Sequence, residues 1–142
     1  MSVLGELQPN KVFKYFEEIC SIPHGSRNLQ QISDYLVDFA KAHELKYRQD
    51  EDLNVIIWKD GSKGYEASEP VILQGHMDMV AVKEADCDKD MEKEGLDLEI
   101  NGDYISAKGT SLGGDDGIAV AMALAILDDD TLEHPPIEAV FT

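Results

Sequence analysis

Apolar residues recur at helical spacing in two segments near the start of the chain, and each segment predicts a helix with one core-facing side. The first begins after Pro9, a residue suited to a first helical turn, and Pro23 with Gly25 ends its pattern. The second runs from about Leu29 to His43. The apolar stripe of the first helix consists of Val12, Phe13, Phe16 and Ile19, and that of the second of Leu29, Ile32, Leu36, Phe39 and Ala40.

Two short β-prone runs follow these helices. The first covers Leu53 to Trp58 and is closed by the turn residues 59–62, and the second begins at Val71. A polar loop over residues 61–69 separates the two runs. We therefore predict a hairpin that pairs Asn54–Trp58 with a central strand over Val71–Gly75.

The last third of the chain alternates between strand and helix signals. Residues 96–100 and 104–107 predict two strands around a type I′ turn at Asn101-Gly102. Residues 118–127 form an apolar, alanine-rich segment that predicts a buried helix packed on a sheet, and residues 137–142 predict another strand. The pattern as a whole indicates an α/β fold with a mixed β-sheet flanked by helices, and 142 residues suffice for one ordinary domain.

Charge narrows the range of partners. The chain has 29 acidic and 12 basic residues, a formal net charge of −17. This balance repels phosphate backbones and anionic membrane surfaces, so we expect neither a nucleic-acid nor a membrane partner. Cys20 and Cys87 belong to no CxxC pair, which favours reduced thiols. No leader or spanning segment is recognisable, and we expect a soluble, cytoplasmic protein.

Candidate chemistry starts where the strand beginning at Val71 ends. His76 and Asp78 are two residues apart, so in extended backbone their side chains would project from the same face. Imidazole is a common ligand of first-row metals, and a neighbouring carboxylate can orient its ring. The alternative is a histidine hydrogen-bonded to a surface loop, with Asp78 as a turn residue.

A glycine-rich loop with two adjacent aspartates, Lys108 to Gly117, precedes the alanine-rich helix. Such loops can cradle phosphate, but Asp115 and Asp116, with no Lys or Ser/Thr after the last glycine, argue against that. The aspartates suit a cation, or serve as helix caps. Together with His76 they predict half of a two-metal site, in which a carboxylate must bridge the ions. Asp115 is the predicted bridge.

Two further features, His24 and the acidic residues 84–103, are better interpreted as parts of the surface than as functional sites. His24 lies in a turn containing Pro23 and Gly25, which predicts a solvated loop residue rather than a substrate-side group. Residues 84–103 are strongly acidic and briefly resemble the start of an EF-hand, but Met91 and Asp97 stand where that loop needs Gly and Glu. A solvated acidic face is the better interpretation.

Gln74–Val80 and Gly109–Ile118 jointly resemble the aminoacyl-histidine dipeptidase group of the co-catalytic zinc peptidases. The resemblance implies that His76 binds one zinc ion, that Asp78 holds its imidazole, and that Asp115 bridges two zinc ions. It also implies a strained peptide bond between Asp115 and Asp116, of a kind that can adopt the cis form. Gly114 and Asp116 depart from the alanine and asparagine that the group leads us to expect, and Asp116 adds negative charge beside the metals.

The same resemblance implies that residues 1–142 are the N-terminal portion of the catalytic domain and stop before a Glu-Glu motif. The first glutamate would be the general base, so we expect the chain alone to be inactive. The complete enzyme would be a homodimer with a lid or dimerisation domain. It would use zinc, or another divalent metal, to hydrolyse Xaa-His and other dipeptides.

The sequence is also compatible with three alternatives. A related peptidase would act on tripeptides or N-acyl amino acids. A non-catalytic module would bind metal or a partner without hydrolysis. An acidic α/β domain would use its aspartates as caps and bind no metal.

Overall fold

A computed structural model describes residues 1–142 as three helices and six strands around one core. The helices are α1 (Asn10–Cys20), α2 (Gln30–Ala42) and α3 (Gly114–Asp128). The strands are β1 (Lys46–Gln49), β2 (Val55–Lys59), β3 (Val71–Gly75), β4 (Leu98–Asn101), β5 (Tyr104–Ala107) and β6 (Ile137–Phe141). The predicted α/β class with a mixed sheet flanked by helices is confirmed.

The three helices form where the apolar spacing predicts them, and each buries its apolar side. Phe16 and Ile19 of α1 are almost fully buried, as are Ile32 and Leu36 of α2. Helix α3 is apolar around most of its circumference, and it packs against α1 on one side and β3 on another. An all-round apolar helix needs such coverage, because water would otherwise contact part of its surface.

The main sheet has four strands in the order β1-β2-β6-β3. Strand β6 lies between β2 and β3, antiparallel to the first and parallel to the second. The predicted hairpin of Asn54–Trp58 with Val71–Gly75 is therefore wrong, and β3 is an edge strand rather than a central one. The buried positions of β6, namely Ile137, Ala139 and Phe141, explain this order, because their alternation places an apolar strand in the middle of the core.

Two smaller differences have local causes. Strand β1 was not predicted because its residues are nearly all exposed and show no apolar alternation. The predicted hairpin of β4 and β5 is present, but Asn101 pairs with Tyr104, so Gly102 and Asp103 form the turn. Only Gly102 of these two has a positive φ, of 61°, whereas a type I′ turn needs both.

Cys20 and Cys87 are free thiols. None of the helices is long and apolar enough to cross a membrane.

Candidate metal site

The segment after β3 holds two polar side chains outward and two apolar ones inward. Met77 and Met79 are 2% and 3% exposed, whereas the side chains of His76 and Asp78 are 40% and 38% exposed. The alternation is that of extended backbone, and it places His76 and Asp78 on one side as predicted. The main-chain N–H of Met77 donates to the carbonyl of Thr142 at 2.7 Å, which ties this segment to the end of β6.

Both nitrogens of His76 face carboxylate oxygens. Nε2 lies 3.0 Å from Oδ1 of Asp115, and Nδ1 lies 3.0 Å from both Oδ1 and the carbonyl of Asp78. The predicted proximity of residues 76 and 115 is thus present. Since oxygen can only accept here, whichever ring nitrogen carries a proton donates it to the aspartate oxygen that it faces.

Asp115 and Asp116 stand at the head of α3, where the backbone departs from helical geometry. Both have non-helical dihedral angles, and the peptide bond between them is cis, as the resemblance implied. The preceding Gly113 has a φ of 75°, and a Cβ at this position would come within 2.9 Å of the Met79 sulfur. Glycine is therefore required here both for backbone conformation and for close approach.

Neither aspartate accepts a hydrogen bond from a main-chain N–H of α3, so the prediction that they serve as helix caps is wrong. No side-chain hydrogen bond caps the start of α3. Asp115 accepts from the ring of His76, and Oδ2 of Asp116 accepts from the main-chain N–H of the same residue at 3.2 Å. Both carboxylates are thus directed at the end of β3. The role of Asp116 was not predicted, because a side-chain bond to a backbone group 40 residues away leaves no local signal.

The side chains of His76, Asp78, Asp115 and Asp116 form a cluster, and their contacts shift the pKa values of His76 and Asp78. Partial desolvation lowers the pKa of His76, but its bonds to Asp115 and Asp78 outweigh this and raise that pKa above the ordinary value. The hydrogen bond from Ser26 lowers the pKa of Asp78, and the nearby His76 adds to this effect. These contacts therefore favour the ionised carboxylate of Asp78 and the protonated form of the His76 imidazole.

The turn containing His24 is part of this cluster, which sequence reasoning missed. His24 is 2% exposed, so its prediction as a solvated residue is wrong, and burial lowers its pKa. Its Nδ1 lies 2.6 Å from the carbonyl of Ile22. Two residues further on, Oγ of Ser26 donates to Oδ2 of Asp78 at 2.6 Å. The contact joins residues 52 apart, so only the turn itself could be read from the sequence.

The donor set suits part of a metal centre. An imidazole nitrogen and a carboxylate oxygen on facing side chains are ligands that zinc accepts, and Asp78 supplies the second hydrogen bond that ligating histidines usually make. No group of three or more histidine, cysteine, aspartate or glutamate side chains is arranged to hold an ion. Because a zinc site needs at least three protein ligands, His76 and Asp115 fit as a pair that further ligands must complete.

Comparison with known proteins identifies relatives of the chain. No family model matches. The cytosol non-specific dipeptidase of Escherichia coli strain K12 is 39% identical over 142 residues, which is 100% of this chain and 29% of that relative. The crystal structure of aminoacylhistidine dipeptidase from Vibrio alginolyticus superposes with a TM-score of 0.96 at 38% identity, over 99% of this chain and 29% of that one. The chain is a relative of these dipeptidases.

The dipeptidase relatives are much longer than the chain, which spans less than a third of their length. A tripeptidase from Staphylococcus aureus also matches, with a TM-score of 0.74 over 97% of this chain and 37% of that one. Its identity is 22%, so it demonstrates a shared fold only.

Proposed function

We propose that residues 1–142 are the N-terminal portion of the catalytic domain of a zinc-dependent dipeptidase. The proposal rests on one observation. His76 and Asp115 meet at 3.0 Å, with Asp78 behind the imidazole, in a chain 39% identical to a dipeptidase. In this proposal His76 and Asp115 would be zinc ligands, and Asp115 would be the carboxylate shared by two ions.

Each residue has a defined task. Asp78 accepts the Nδ1 proton of His76, which leaves Nε2 free to ligate once it has lost its own proton. Asp115 offers a second oxygen that no protein group engages. When bound, zinc lowers the pKa of a water molecule and polarises the scissile carbonyl. A general base would then take a proton, and we propose a glutamate outside residues 1–142 for this task.

The substrates we propose for the complete enzyme are dipeptides, Xaa-His among them, and we propose a cytoplasmic homodimer. Related peptidases acting on tripeptides or N-acyl amino acids are the main alternative. The likeness to a tripeptidase does not favour that alternative, because it extends to the fold alone. Assaying the longer protein on Xaa-His dipeptides, tripeptides and acyl-amino acids distinguishes these substrates, and a non-catalytic module would hydrolyse none of them.

The metal site is tested by zinc titration of the chain, followed by NMR of its four histidine rings. The ring of His76 is expected to shift with zinc, whereas those of His24, His43 and His134 serve as internal controls. With only two protein ligands we expect zinc to bind weakly, and NMR can detect weak binding. Equal shifts at all four rings would contradict the site. So would zinc-induced shifts of the other three histidine rings that persist in a His76→Ala variant.

The proposal that residues 1–142 lack the general base gives a second test. The pure 142-residue chain, free of host peptidase, is expected to hydrolyse no dipeptide even with zinc present. Measurable turnover would show that the base lies within residues 1–142.

A further inference from the structure

Ser26 is connected to the zinc-binding imidazole of the proposed site through a single intermediate. Its Oγ donates to Oδ2 of Asp78 at 2.6 Å, and Oδ1 of the same carboxylate lies 3.0 Å from Nδ1 of His76. Each oxygen of Asp78 therefore has one strong partner. A carboxylate turns easily about its terminal torsion, so a partner on one oxygen fixes where the other oxygen points.

The backbone of Ser26 is held without any help from Asp78. Its main-chain N–H donates to the carbonyl of Met79 at 3.1 Å, and the N–H of Met79 donates to the carbonyl of His24 at 3.0 Å. These bonds join the turn to the segment after β3 as a short parallel bridge. Gly25 permits the contact, because a Cβ there would lie 2.8 Å from the Cβ of Ala81. The hydroxyl is thus carried by a turn whose main chain is hydrogen-bonded independently of Asp78.

From this geometry we propose that Ser26 is a positioning residue for the metal ligand His76, acting through Asp78. The inference rests on the proposed zinc site. Ser26 orients the carboxylate, the carboxylate orients the imidazole, and Nε2 is kept facing Asp115. Loss of a partner behind a ligating histidine typically weakens metal affinity by roughly 10–100-fold. Because Ser26 is one step further out, we expect a loss of about tenfold.

The experiment compares zinc dissociation constants by NMR for the chain, Ser26→Ala and Ser26→Thr. Ser26→Ala is expected to weaken binding about tenfold, and Ser26→Thr, which keeps the hydroxyl, to restore most of the affinity. Ser106→Ala is the matched control, since Oγ of Ser106 also donates to a carboxylate, that of Glu99, at 3.2 Å in the separate β4–β5 hairpin. The control is expected to bind zinc as the original chain does.

A double-mutant cycle distinguishes positioning from general stabilisation of the loop. In an Asp78→Ala background, Ser26→Ala should weaken zinc binding no further, because the residue through which it acts is gone. A further loss of the same size in that background would overturn the inference. Equal zinc affinity of the chain and Ser26→Ala would overturn it too.

A separate measurement tests the role of Ser26 even if the chain does not bind zinc. In the metal-free chain, the Nδ1 proton of His76 is bonded to Asp78, so its exchange with water reports how firmly the carboxylate is held. Ser26→Ala should speed that exchange, whereas Ser106→Ala should not. Absence of zinc binding would defeat the proposed function, and unchanged exchange would defeat the role of Ser26.

Discussion

Each end of α3 carries a histidine–aspartate pair, and the two pairs have the same separation. At the start of the helix, Nε2 of His76 lies 3.0 Å from Oδ1 of Asp115. At its end, Nε2 of His43 lies 3.0 Å from Oδ1 of Asp128. Distance alone therefore does not distinguish a ligand pair from a structural one.

Asp115 and Asp128 differ in whether their second carboxylate oxygen has a hydrogen-bond partner in the protein. The second oxygen of Asp128 accepts from the hydroxyl of Tyr15 at 2.7 Å and lies 3.7 Å from Nζ of Lys11, and its side chain is 21% exposed. The second oxygen of Asp115 accepts no hydrogen bond from the protein, and its side chain is 94% exposed. Asp128 is saturated by neighbouring helices, whereas Asp115 keeps the lone pairs that a bridging ligand needs.

The two histidines differ in how they are supported. His43 directly follows α2, and its Nδ1 lies 2.9 Å from the carbonyl of Phe39 in the last turn of that helix; the two rings stack. His76 is supported by Asp78, which in turn depends on a hydroxyl from a different loop. The imidazole of His43 is thus supported locally on the Nδ1 side, whereas the support behind the imidazole of His76 includes a long-range contact between Asp78 and Ser26.

The largest expected contrast is in stability. Asp128→Ala removes the acceptor of both Tyr15 and His43, and we expect a loss of about 2–3 kcal/mol in the free energy of unfolding. Asp115→Ala should change that free energy by less than about 0.5 kcal/mol, because its side chain lies in solvent. Urea denaturation of the two metal-free variants measures both. Equal losses would mean that the pair at the start of α3 is also structural.

A smaller effect is expected at Gly25, whose contact supports only the pair at the start of α3. Gly25→Ala places its Cβ against Ala81, and such overpacking should cost about 1–2 kcal/mol. The NMR signals of His76 should shift while those of His43 stay in place. Adding Ala81→Gly should relieve the clash and return His76 towards its original signals. A double variant as perturbed as the single one would show that the close approach is not the cause.

The helices could be predicted from local spacing, whereas the proximity of His76 and Asp115, which are 39 residues apart, was predicted from the chemistry of a two-metal site. Apolar residues at helical intervals determined α1 and α2. The alternation of polar and apolar side chains placed His76 and Asp78 on one side. The cis peptide at Asp115 was implied by the family resemblance rather than by any spacing.

Strand order and the support of the site could not be predicted from local spacing. Val55–Lys59 and Val71–Gly75 are neighbours in sequence, yet Ile137–Phe141 inserts between them because its buried alternation suits the middle of the sheet. Ser26 gave no signal of its own, since its contact with Asp78 exists only after the chain folds. Long-range pairing thus accounts for both errors.

The smallest expected effect is a pH dependence at the end of α3. Burial alone would raise the pKa of Asp128, but the bond from Tyr15 and the charges of Lys11 and His43 outweigh it and lower that pKa below the unfolded value of 3.8. A carboxylate with a lowered folded pKa stabilises the protein above the unfolded pKa. That stabilisation disappears as the pH falls through the folded value.

Asp128→Asn keeps an acceptor of similar shape but removes the charge. We therefore expect it to be less stable than the original chain at neutral pH, by under about 1 kcal/mol, and the difference to close below about pH 4. Urea denaturation from pH 7 to pH 3 follows the difference. Asp103→Asn, in the exposed turn after β4, corrects for the loss of one acidic charge from a chain of net charge −17. If the difference for Asp128→Asn stays constant with pH after this correction, the carboxylate contributes through its shape and hydrogen bonds, and the charged pair at the end of α3 stabilises no more than a neutral one would.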